Sequence, residues 1–186
     1  MQLKVREIAK IQFGFYSTLG KSTQVPYLQV KHFDDLGQYS YKCDSFLDEN
    51  QATFENELKY GDVLFVSKGY RFFASAYKED WGKAVASSVF FVLRVDLSKV
   101  IPEYLATVLN LPQSHLYFQQ AASASTIPSI RKNEIADFTF NCLPLAEQEK
   151  IVKIKQLHLR EMTIAKQIIT EKQNQIQATL NQLINQ

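Results

Sequence analysis

Beyond Pro144 the chain contains no glycine, no proline and no aromatic residue, although 42 of its 186 residues still remain. Cysteine is scarce as well. Cys43 and Cys142 stand 99 positions apart, which excludes a disulfide framework and a four-cysteine metal site. The default for two such residues is a pair of buried, reduced thiols in a reducing compartment. His32, His115 and His158 show no His-x-x-x-His spacing, so no metal site is expected. Six glycines and five prolines are too few for a collagen-like or low-complexity chain. No apolar run approaches the ~18 residues of a membrane span. The opening Met1-Gln2-Leu3-Lys4-Val5-Arg6-Glu7 lacks the apolar stretch of a secretory signal, so a cytoplasmic protein with no membrane association is expected. Charge of a single sign is missing too. The formal net charge is +2, so charge alone does not announce a nucleic-acid partner.

What is present divides in two. Up to Phe140 the chain carries all 23 of its aromatic residues and reads as mixed α and β. Tyr27–Val30, Val63–Ser67, Phe72–Tyr77 and Val89–Val95 are β-branched and aromatic runs bounded by turn residues, which predicts strands. Pro102 suits the first turn of a helix, and Tyr104, Leu105, Val108 and Leu109 give helical spacing up to about Asn110. A second helix is predicted over Gln113–Ala122. Residues 44–57 are acidic and read as a loop or short helix. The fold class is α+β, with a mixed α/β domain over 1–143 followed by one long helix over 144–186.

That helix follows Pro144. Glu147 and Glu149 fall in its first turns, where the helix dipole favours anions. Unbroken, it is about 60 Å long at 1.5 Å per residue. Leu157 and Ile164 are separated by one heptad, and Ile169, Ile176 and Leu183 by one heptad each, with Leu180 between the last two. The step from Ile164 to Ile169 breaks the register, as a stutter does. Such a narrow apolar stripe either lies along its own domain or pairs with another helix, and its length favours a coiled coil.

Catalytic signatures are weak. Gly14 to Ser22 spells Gly-x(5)-Gly-Lys-Ser, one residue longer than a phosphate-binding loop, and Pro26 prevents the helix that such a loop must enter. No cofactor loop of a base methyltransferase is visible. Glu57-Leu58-Lys59, with Asp44 or Asp48 upstream, has the Glu-x-Lys form of a metal-dependent nuclease, a pattern common by chance.

Three segments carry a resemblance. They are Pro26-Tyr27-Leu28-Gln29-Val30-Lys31, Leu58-Lys59-Tyr60-Gly61-Asp62-Val63-Leu64-Phe65-Val66-Ser67-Lys68-Gly69 and Leu143-Pro144-Leu145-Ala146-Glu147-Gln148-Glu149-Lys150-Ile151-Val152. In that order and spacing the chain resembles the specificity subunit of type I restriction-modification systems. The last segment, opening a proline-free helix, is the most specific. The resemblance implies a target-recognition domain for double-stranded DNA followed by a spacer helix, with no catalytic residue and no cofactor of its own. It also implies two partners, a methyltransferase subunit using S-adenosylmethionine and a restriction subunit that translocates and cuts. Such subunits usually hold two recognition domains and two antiparallel helices. This chain has one of each and looks like half a subunit, able to form a homodimer or join a second half and read a bipartite site.

The residues offer four candidate contact points for DNA. The first is the loop Ser67-Lys68-Gly69-Tyr70-Arg71, within a stretch from Lys59 to Arg94 that has six basic residues, Lys83 among them, and three acids. Arg71 suits a guanine edge, Lys68 guanine or phosphate, and Tyr70 backbone or base. The second is Ser123 to Lys132, where Thr126, Ser129, Arg131 and Lys132 suit phosphate oxygens. Lys21 and Gln24 make the third, and Lys31 with His32 the fourth. The acidic span 44–57 is expected to face away from DNA or toward a partner. The candidate dimerisation residues are Leu157, Ile164, Ile169, Ile176, Leu180 and Leu183. Two rivals stay open: a coiled-coil interaction module without DNA binding, supported by 15 basic against 15 acidic residues up to Phe140, and the Glu57-x-Lys59 nuclease.

Overall fold

The computed structural model describes residues 1–17, 25–34, 37–40, 42–48, 55–122 and 126–185. The chain divides into two compact units, Met1–Glu149 and Lys150–Gln186. Among its described residues the first contains nine strands: β1 (Gln2–Lys4), β2 (Ala9–Phe13), β3 (Val25–Leu28), β4 (Phe46–Leu47), β5 (Asp62–Val66), β6 (Ala74–Ala76), β7 (Val85–Ala86), β8 (Phe90–Val95) and β9 (Thr139–Asn141). It also holds helices α1 (Pro102–Leu109), α2 (Pro112–Ala121) and α3 (Lys132–Asp137). Helix α4 runs from Leu145 to Ile184, beginning in the first unit. Among the described residues no helix is long and apolar enough to cross a membrane.

The central sheet is antiparallel in the order β2-β8-β5-β6. A smaller sheet places β3 between β4, antiparallel, and β7, parallel, and β1 pairs with β9. All five residues of β5 are buried, so both faces of the sheet are covered, as a continuous apolar run requires. Leu64 and Val66 join a cluster with Leu28, Phe33, Phe73, Trp81 and Phe90. The Phe65 ring meets Phe118 of α2 with centroids 4.7 Å apart.

At the start of β5 the buried Asp62 carboxylate takes two hydrogen bonds from Arg94 of β8, both 2.8 Å, and one from the Lys59 amide at 2.9 Å. A buried carboxylate needs such pairing to remain charged. Gly61, just before it, has φ +97, a left-handed conformation that favours glycine.

The expected strand over Phe72–Tyr77 shortens to β6, and that over Tyr27–Val30 shifts to β3. Lys31 and His32 fall instead in a single 3-10 turn, Val30–His32. Within the acidic span, Phe46–Leu47 forms β4. Cys43 and Cys142 are free thiols that are only partly buried, which corrects the expectation of full burial. Burial nonetheless raises both thiol pKa values, so neither is an activated nucleophile.

Candidate nucleic-acid interface

The first two candidate segments meet in space. The Gly69 amide donates to the Pro128 carbonyl at 2.9 Å and the Ile130 amide to the Ser67 carbonyl at 2.8 Å. Lys68 and Ser129 thereby face each other across a short antiparallel bridge. Beyond it, the Tyr70 hydroxyl donates to the Thr126 carbonyl at 2.8 Å. The sequence explains each anchor. Ser67, the last buried residue before the loop, fixes it by donating its hydroxyl to the Val89 carbonyl at 2.8 Å. Gly69 has φ +116, so the sharp turn favours glycine for its backbone alone. Ile130 is buried and holds the second segment down. Together residues 67–71 and 126–132 carry four cations and no acid.

The side chains on this surface differ in what they can do. Lys68, Arg131 and Lys132 are exposed, as phosphate contacts require. Tyr70 is 82% exposed. Arg71 is turned inward: its Nη2 donates to the Phe33 carbonyl at 3.2 Å and the Val30 carbonyl at 3.4 Å. Its guanidinium also lies 5.0 Å from the centre of the Phe73 ring.

The remaining candidates are placed differently. His32 is 2% exposed, and this corrects the expectation that it meets DNA. Its Nδ1 accepts the Gln29 amide at 3.0 Å, so the proton is on Nε2, which donates to Asp44 at 2.9 Å. Lys31 bonds the same carboxylate at 2.6 Å. The lysine hydrogen bond, then those from His32 and Ser45, holds the Asp44 carboxyl well below the usual carboxylate range. Lys83 is paired with Glu57 at 2.7 Å. Lys21, Gln24 and residues 123–125 lie outside the described residues.

Among the described residues no group of three or more His, Cys, Asp or Glu can hold a metal ion. Glu57, the carboxylate of the Glu-x-Lys pattern, is spent on Lys83. The pairing of Glu57 with Lys83 does not favour the nuclease reading.

On α4 all six candidate seam residues are exposed, between 44% for Leu180 and 62% for Leu183. Met162, absent from the expected seam, is also exposed and precedes Ile169 by one heptad. Met162, Ile169, Ile176 and Leu183 thus form a heptad-spaced column, with Leu157 and Ile164 on a different register. A second unforeseen residue is Phe13, 66% exposed at the end of β2, with the Lys132 ammonium 5.8 Å from its ring centre.

No protein-family model matches the sequence, and no curated protein does. Solved structures do. The S subunit of a type I restriction-modification system from M. genitalium superposes with TM-score 0.58 at 12% identity, over 84% of this chain and 38% of that one. The HsdS subunit from Thermoanaerobacter tengcongensis gives 0.64 at 16%, over 94% and 45%. A chain from a structure of the assembly and conformational transition of the type I R-M system gives 0.67 at 16%, over 89% and 44%. The fold is that of a type I specificity subunit. The chain spans less than half the length of each of these relatives.

Within this specificity-subunit fold, the segment Leu143 to Gln148 has a definite structural task. The Gln148 side chain is fully buried. Its Oε1 accepts the Ile101 amide at 2.8 Å, and its Nε2 donates to the Leu143 carbonyl at 2.7 Å and the Lys99 carbonyl at 3.0 Å. One amide thereby ties the first turn of α4 to the entrance of α1.

Proposed function

We propose that this chain is the sequence-specific DNA-recognition subunit of a type I restriction-modification enzyme. The globular unit reads half of a bipartite site in double-stranded DNA. The seam of α4 pairs with a second copy, or with a second half-subunit, and fixes the spacing between the halves. The chain itself is non-catalytic and works with a methyltransferase subunit and a restriction subunit.

One observation carries this reading: the specificity-subunit fold extends over 84% to 94% of the chain, from the recognition domain into the long helix. Fold alone does not assign function, so the reading also draws on the side chains at the candidate surface. Two basic, hydroxyl-bearing segments that hold no acid themselves meet through Lys68 and Ser129, which supports the reading. Lys68, Arg131 and Lys132 supply phosphate contacts that set register, while Tyr70 reaches toward the bases. The exposed heptad column supplies the pairing surface.

The test is selection of binding sites from random duplex DNA by the full chain, alone and with a type I methyltransferase subunit, followed by salt titration. Recovery of a split, two-fold-symmetric sequence is expected. Affinity should fall steeply with salt as counterions are released. Failure to bind any duplex at low salt in both formats would overturn the reading.

A further inference from the structure

We propose that Phe13 reads the methyl group of a thymine in the recognised half-site, an inference that rests on the DNA-recognition reading above. Phe13 closes β2, opposite the buried Phe91 of β8. The two rings meet edge to face, with centroids 5.3 Å apart and planes at 63°. Nothing in the fold requires Phe13 itself to be buried, and two thirds of it faces solvent.

The backbone that presents this ring is held firmly. The Gly14 amide donates to the Phe90 carbonyl at 2.9 Å and the Phe15 amide to the Ala86 carbonyl at 2.8 Å. The Phe15 carbonyl accepts the Tyr27 hydroxyl at 2.7 Å. A side chain at position 14 would put its Cβ 2.0 Å from the Ser87 carbonyl oxygen, so only glycine lets the chain settle this close to its neighbour. A group presented in this way loses little freedom on binding.

The chemistry of the contact follows from what already surrounds the ring. Lys132 lies over its face and belongs to the basic surface built from 67–71 and 126–132. Lys132 over one face and the edge-to-face contact with Phe91 leave less open ring face for stacking on a base. Glu55 and Glu57 line the same small cleft as Phe13, which sets the contact toward a neutral apolar group rather than phosphate. Two thirds of the residue is still exposed beside a lysine suited to phosphate. In the major groove the apolar feature available to such a ring is the thymine C5-methyl.

The experiment replaces thymine by uracil, one position at a time, in the selected duplex, and measures binding of the full-length protein and its Phe13→Ala and Phe13→Leu variants. At one thymine, uracil should weaken wild-type binding by about fourfold, the worth of one buried methyl. The same replacement should leave Phe13→Ala binding unchanged. Phe13→Ala should also bind the selected site more weakly while keeping its affinity for random duplex. If no thymine is sensitive in the wild type, the proposal is wrong whatever the variants do. Equal uracil penalties in wild type and Phe13→Ala would also overturn it. A loss in Phe13→Ala with no uracil sensitivity would make the ring a wedge instead. Selection of a site that Phe13→Ala binds as well as the wild type defeats this proposal alone, whereas failure to select any site defeats the recognition reading beneath it.

Discussion

The hydroxyl of Tyr70 donates to the carbonyl of Thr126 at 2.8 Å, joining two loops that are 56 positions apart. The ring is exposed, so the bond adds little to global stability. Its effect is to hold one contact segment against the other. Tyr70→Phe should therefore lower the melting temperature only slightly, by less than about 1 kcal/mol of stability. Specific DNA affinity should fall more than random-duplex affinity, because looser loops lose register before they lose charge. Equal losses on both duplexes would mean that the bond does not order the reading surface.

Arg71 and Lys68 are three positions apart in one loop, and their variants should behave differently. The Arg71 guanidinium bonds the Val30 and Phe33 carbonyls, both close to the aromatic cluster. Arg71→Ala should destabilise the fold by about 1–3 kcal/mol, since charged hydrogen bonds are lost and carbonyls are left without them. Lys68→Ala should leave the melting temperature near its wild-type value, weaken specific and random duplex alike, and reduce the salt dependence by about one counterion. An Arg71→Ala protein that melts normally but loses one base preference would return Arg71 to the role of base reader.

Gln148 makes three hydrogen bonds to backbone groups inside the protein, so removing its amide takes a partner from one amide hydrogen and two carbonyls. Gln148→Ala should cost about 2–4 kcal/mol in chemical denaturation of the full chain. Gln148→Glu should cost at least as much at neutral pH, because a carboxylate would face the Leu143 and Lys99 carbonyls. A loss below about 1 kcal/mol would show that water replaces the amide.

Much of the architecture was legible because it rests on local pattern. The runs that became β5 and β8 are continuous and apolar, α1 announces itself with Pro102 at its first turn, and the long helix is marked by 42 residues free of breakers. Strands β1 and β9 were not legible. Each is three residues long, and each exists because its partner lies far along the chain. The candidate site was legible as separate basic segments but not as a surface. Nothing local in Lys68 or Ser129 indicates that they face each other. His32 misled for a related reason. A histidine beside a lysine looks exposed, but the 3-10 turn directs its ring inward to the Gln29 amide and Asp44. Met162 went unread because methionine is a weaker seam signal than isoleucine or leucine, although its spacing was correct.

The Asp44 carboxyl, bonded by Lys31, His32 and Ser45, has its pKa lowered in the folded state. A lowered folded pKa stabilises the fold fully above the unfolded value of about 4 and ceases to do so as pH falls through the folded value. Asp44→Asn should therefore be less stable than wild type near neutrality. The gap should narrow as the solution is acidified below about pH 4. Urea midpoints measured across that range test it, and a gap that stays constant on acidification would show that ionised Asp44 has no linkage to folding.

The column Met162, Ile169, Ile176 and Leu183 is exposed over its full length in the single chain, and a row of heptad-spaced apolar residues facing water favours pairing. Two central aspartates would place charge within the apolar column if two copies pair along it. Ile169→Asp combined with Ile176→Asp should therefore convert a dimer to monomers in sedimentation, while the melting of the globular unit stays unchanged because neither position is buried in it. The monomer should still bind random duplex through Lys68, Arg131 and Lys132. It should lose affinity for the full split sequence by far more than for an isolated half, since linked half-sites raise each other's effective concentration. A double variant that sediments as a dimer would move the interface off this column. A monomer that binds the split sequence as tightly as the wild type would show that the helix does not set the spacing.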